Sequence, residues 1–210
     1  VLPAGADGAP RAGAEATAVG HMRCQATVST DCWLQPRSSY ILVPLSLHEG
    51  PLQLPVVFAC VSSKLVVVSR VELSPAAARS AWAAYAVSIG RKDATEFHGA
   101  RLHLAKARGG CIVAFVENRS SQGHFKVDLS FDSAGLRYSR GLPATSDWIA
   151  PGCGQLVQVA MPDAGSGGST GWRSNQSYKM KYWTPRKPWH SPELELAEAG
   201  RLHEPFRLTG

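Results

Sequence analysis

The chain has 210 residues, 44% of them hydrophobic, and carries a formal charge of +6 from 22 Lys and Arg against 16 Asp and Glu. That is enough chain for one domain with its own core, but the best apolar runs, YILVPLSL and LPVVFACV, are broken by proline well short of the ~20 apolar residues of a membrane-spanning helix. The basic balance permits association with acidic surfaces without demanding it, and five cysteines (Cys24, Cys32, Cys60, Cys111, Cys153) with no C-x-x-C pair fit reduced thiols of a cytoplasmic protein better than a disulfide framework or a zinc site.

Residues 1–20 are rich in Ala and Gly and lack the basic start and apolar block of a signal peptide, so they are expected to be linker. Strand signals, short runs of β-branched and aromatic residues bounded by Pro, Gly or Ser, then recur through residues 21–163. They are MRCQATVS from Met22, SYILVPLSL from Ser39, VVFACVS from Val56, LVVVSRVEL from Leu65, ARLHLAKA from Ala100, CIVAFVEN from Cys111 and HFKVDLSF from His124. QLVQVAM from Gln155 and SYKMKYW from Ser177 add two more. A helix interrupts them: Ser74 can cap it, Pro75 suits its first position, and Trp82, Tyr85 and Ile89 recur at helical spacing before Gly90.

In HFKVDLSF, Phe125, Val127, Leu129 and Phe131 share one face while Lys126, Asp128 and Ser130 share the other, the pattern of a sheet with one wet face. CIVAFVE and VVFACV are apolar on both faces, as strands covered from two sides are, and are expected to be central. Turn chemistry at ArgGlyGly before Cys111, at ENRSSQG and at AlaGly before Leu136 lets the chain reverse between strands. One helix among so many strands argues against a βαβ plan, and the expected fold is mainly β, an antiparallel β-sandwich with one short helix.

The sharpest catalytic signal is TDCWL at Thr30 to Leu34, which looks like the Cys-Trp stretch around the nucleophile of papain-like proteases. Such a cysteine starts a helix that lowers its thiol pKa, with a glutamine upstream as oxyanion donor. Here Pro36 breaks any helix before its second turn and Gln25 stands one residue too far upstream. His124 is a conceivable partner, but no asparagine in an Asn-Pro-Trp-like setting follows, so Cys32 is read as structural and no catalytic residue is assigned. His98 and His103 stand at an odd spacing that a strand sends to opposite faces, the Gly-rich DAGSGGSTG lacks the order of a phosphate loop, and Asp132, Asp147 and Asp163 occupy separate loop candidates. Neither a metal nor any other cofactor is expected.

Residues 164–210 read as a Gly/Ser linker, a candidate last strand over 177–183 and an extended tail. From Gly171 to His190 there are five Lys or Arg, five aromatics and no acid. Trp172, Tyr178, Lys179, Lys181, Tyr182, Trp183, Arg186, Lys187 and Trp189 are the candidate partner-binding residues, with Tyr178, Tyr182 and Trp183 equally able to complete a last strand. A protein partner is the first expectation. The alternative is an acidic surface (anionic lipid, nucleic acid or an acidic cytoskeletal tail), with lysines for charge and tryptophans for stacking.

LQPRSSYILVPLSLHEG at Leu34 to Gly50 resembles a calpain β-sandwich pattern through Leu34, Pro36, Tyr40, Pro44 and Ser46, with Arg37 where that pattern has glycine. LPVVFACVSSKLVVVSRVELSPAAARSAWAAYAVSIG, then GGCIVAFVENR closing in Glu117, Asn118 and Arg119, then FKVDLSF and QLVQVAM, is similar in order to the carboxy-terminal region of calpains of the calpain-15 (small optic lobes) type. The resemblance runs from Met22 to Trp183. It implies a noncatalytic calpain-type β-sandwich attached to, or derived from, a cysteine protease of the papain-like clan, whose core would lie upstream. It also implies protein partners, cytoskeletal ones or a larger assembly among them, and a cytoplasmic setting.

Overall fold

The computed structural model describes residues 1–4, 16–19, 30–45, 57–72, 74–90, 94–107, 110–132, 135–162, 175–185 and 202–208. Its elements are β1 (Leu2–Pro3), β2 (Tyr40–Ile41), α1 (Pro75–Gly90), β3 (Thr95–Phe97), β4 (Ala100–Lys106), β5 (Ile112–Asn118) and β6 (His124–Asp132). There follow β7 (Leu136–Tyr138), β8 (Ala144–Ile149), β9 (Cys153–Pro162), β10 (Asn175–Trp183) and β11 (Phe206–Arg207).

Every residue of β5 is buried. A strand buried on both faces needs a layer on each side, and the chain supplies them. β5 lies inside a sheet ordered β11-β9-β5-β4-β3, and β7 shares with β11 the other edge of β9. A second sheet, β10-β6-β8, covers one face, and α1 covers the other. Ile112, Ala114 and Val116 join Leu102, Val127, Leu129, Phe131, Ile149 and Val157 between the sheets. Val113 and Phe115, the alternate residues, pack with Trp82, Tyr85, Leu156 and Val159 beneath the helix. All pairings are antiparallel, as the tight returns require.

The helix forms as its sequence dictates. The Ser74 hydroxyl accepts from the Ala77 N–H at 3.2 Å, Pro75 opens the helix, and Trp82 and Tyr85 meet edge to face with centroids 6.1 Å apart on its buried side. Two expected turns are equally direct, with Gly110 and Gly135 at φ of 95° and 74°; a turn the sequence reading did not name, His98–Gly99 at 48° and 85°, reverses the chain between β3 and β4. Arg37 sits at φ 59°, a conformation that glycine adopts freely, which accounts for the glycine of the resembling pattern.

Two expected strands are absent. Residues 57–62 and 65–72 form no strand, so VVFACV is not a central strand, and Val61, Leu65 and Val67 are almost fully exposed. A β-branched run forms a strand only against a partner, and these residues pair with none of the described strands. Among the described residues of SYILVPLSL, Tyr40–Ile41 alone form a strand, paired with Leu2–Pro3, and MRCQATVS lies outside the described residues. Conversely, the candidate last strand is nine residues long, and residues 202–208 return to the core through Leu202, Phe206 and Leu208.

Candidate docking face

Directly opposed residues of neighbouring strands share a face. In the three-stranded sheet the register sets Tyr182, Met180 and Tyr178 opposite Phe125, Val127 and Leu129, which face the core. It sets Trp183, Lys181 and Lys179 opposite His124, Lys126 and Asp128, on the outer face. From the other side β8 brings Trp148 opposite Lys126 and Ser146 opposite Asp128. One transverse row therefore reads Trp148, Lys126, Lys181 and the next Ser146, Asp128, Lys179.

The outer face carries linked contacts. Trp148 and Trp183 meet edge to face with centroids 5.7 Å apart, and Trp183 lies over the His124 ring at 6.2 Å. Burial beneath that cover holds the His124 pKa below its ordinary value. Lys126 Nζ is 3.4 Å from Asp128 Oδ1, and the Ser146 hydroxyl donates to that carboxylate at 2.7 Å. The Ser146 hydrogen bond, followed by the lysine charges of Lys126 and Lys181, draws the Asp128 pKa below the usual carboxylate range. The face is positive and half aromatic.

The tyrosines lie on the other side of β10. Tyr182 stacks on His98 with centroids 5.2 Å apart, touches Phe125, and occupies the space that a Cβ on Gly123 would need. The Tyr178 hydroxyl is 3.1 Å from the Thr95 hydroxyl of β3, which links the two sheets at this side of the sandwich. Of the candidate residues read from the sequence, Lys179, Lys181 and Trp183 thus share the outer face while Tyr178 and Tyr182 do not. Trp172, Arg186, Lys187 and Trp189 lie outside the described residues. Trp148, Lys126 and His124 complete the face, and sequence reading missed them as partners. Alternation on β6 already placed Lys126 outward; the pairing of β8 and β10 with β6 is the part that only folding supplies.

The remaining polar groups serve the interior. Asp147, expected in a loop, lies on β8 and is fully buried; Arg140 donates to both its oxygens at 2.8 and 2.7 Å, and Gln155 donates to Oδ1 at 3.0 Å. Burial raises its pKa more than the Arg140 guanidinium lowers it. Glu117 faces His103 and Arg119, each at 3.2 Å; burial opposes its charge, but those hydrogen bonds prevail and its pKa is lowered. Asn118 donates to the carbonyls of Gly123 and Ile149 and accepts from the Ser120 N–H and hydroxyl, clamping the β5–β6 loop. These are the Glu117, Asn118 and Arg119 of the sequence resemblance, and their role here is structural.

Cys32 lies exposed in irregular chain with no helix starting from it, while His124 is buried on β6. Among the described residues no group of three or more His, Cys, Asp or Glu could hold a metal ion, and no helix is long and apolar enough to cross a membrane.

A helix, a central sheet and a second sheet stacked around two apolar layers define a β-sandwich-like domain. Residues 85–185, from the middle of α1 to just past β10, match the family model "Calpain-D-like, C-terminal domain". The match supports a calpain-type C-terminal domain in that segment. A search of curated proteins found no match, and a search of solved structures found none.

Proposed function

We propose that this domain is a noncatalytic docking module of a calpain-like protein and that the outer face of its three-stranded sheet receives a protein partner. The observation that carries the proposal is the row Trp148, Lys126, Lys181, flanked by Trp183 and Lys179. Like charges placed directly across two strands weaken a sheet. A ligand that neutralises Lys126 and Lys181 removes that penalty, and tryptophan beside a basic group is the composition in which binding energy concentrates at interfaces. The order of motifs from Leu34 to Trp183 supports a calpain-15-type relationship, and the odd cysteine set supports a cytoplasmic setting.

The test compares the full chain with its Lys179→Glu/Lys181→Glu variant as bait in cytosol, followed by reconstitution with each purified protein that differs. The expected result is a protein captured by the wild type, lost by the variant, and bound directly by the purified wild-type chain. An identical set of captured proteins from the two baits removes the proposal.

A further inference from the structure

β10 uses one edge to pair with β6 along its whole length; among the described residues no strand pairs with the other edge. An edge strand can offer a row of N–H and C=O groups to an extended chain that comes alongside. Here the two faces of the edge strand differ in chemistry. Lys179 and Lys181 stand on the outer face, while Tyr178 and Tyr182 stand on the inner face, still 41% and 40% exposed. The tyrosines are held in place, one by the Thr95 hydroxyl and the other against His98.

We propose that β10 accepts an extended peptide as an added edge strand, and that this peptide alternates acidic with apolar side chains. The proposal rests on the docking reading above and names the ligand chemistry. Successive side chains of a strand point to opposite faces, so same-face neighbours on the peptide are about 6.8 Å apart. Lys179 and Lys181 have that same two-residue spacing, and two alternate carboxylates meet them one for one. The intervening apolar side chains fall on the exposed flanks of Tyr178 and Tyr182. Lys126, opposite Lys181, strengthens the positive field, while Asp128, opposite Lys179, is engaged by Lys126 and Ser146. A nucleic acid or an anionic bilayer uses the lysines but makes no use of the edge that no described strand pairs with, nor of the inner-face tyrosines, which favours the peptide.

The experiment measures binding of short fluorescent peptides to the full chain: one alternating Glu and Val, one with the same composition in two blocks, and one alternating but N-methylated at every second amide. The alternating peptide should bind, the other two should not, and Lys179→Glu/Lys181→Glu should weaken binding about tenfold. The milder Lys179→Gln/Lys181→Gln variant should give an intermediate affinity, and amide exchange within Asn175–Trp183 should slow on binding. Equal binding of the block or N-methylated peptide, or unchanged exchange in β10, overturns strand addition. Lysine-dependent binding to anionic vesicles or to a single-stranded oligonucleotide, without peptide binding, also overturns it. If the charge-reversed bait loses its cytosolic partner while the peptide fails to bind, strand addition falls and docking stands; if the bait loses nothing, docking itself falls.

Discussion

Asp147 and His203 are both wholly inaccessible to solvent, and they shape stability by different routes. Asp147 depends on Arg140. Removing one partner of a buried pair strands the other charge, so Arg140→Met should cost about 3–5 kcal/mol in urea unfolding, and Arg140→Met/Asp147→Leu should recover most of it. His203 accepts no such partner: its Nδ1 lies 2.7 Å from the Leu156 carbonyl oxygen, and burial drives its pKa from 6.5 to about 4. Between those values the unfolded chain binds a proton that the folded chain does not. The stability is therefore complete above pH 6.5 and falls by about 3 kcal/mol as the pH drops through that window. His203→Gln should flatten this part of the urea midpoint against pH. Neither residue was legible as structural in the sequence, because Asp147 lies in a polar stretch resembling a loop and His203 lies in a segment where alternation is weak.

At the scale of elements, the strands that the sequence revealed are the ones with strong local patterns. HFKVDLSF alternates, CIVAFVEN is apolar throughout, and both fold as expected. Short polar strands such as β3, β7 and β8 carry too few residues to show a period, and they exist because a neighbour pairs with them. The opposite error occurs at residues 57–72, whose β-branched run has strong local preference and no pairing strand. The return of residues 202–208 depends on Gly154. A Cβ there would stand 2.8 Å from Leu208 Cδ2 and 2.9 Å from Phe115 Cζ. Gly154→Ala should therefore cost about 1–3 kcal/mol and release Leu202–Leu208, seen as faster amide exchange across that segment.

For the whole molecule, the layered sandwich separates the core from the face proposed for docking. The core lies on the inner faces, so the outer face of the three-stranded sheet is free to carry charge that the fold does not need. Lys181→Glu turns an opposed like-charge pair with Lys126 into an opposite-charge pair, and should raise unfolding stability by roughly 0.2–1 kcal/mol while weakening partner binding. A parallel loss of stability and binding would show that the lysine serves the fold. By itself the sequence determined the capped helix, the long patterned strands, their antiparallel plan and the basic-aromatic character of residues 175–183, because capping, side-chain period and turn preference act between near neighbours. The tertiary structure alone decided that Trp148, Lys126 and Lys181 form one row, that Asp147 is interior, and which faces of β10 carry lysine and tyrosine toward solvent. Those facts depend on strand register, a relation between segments distant in sequence.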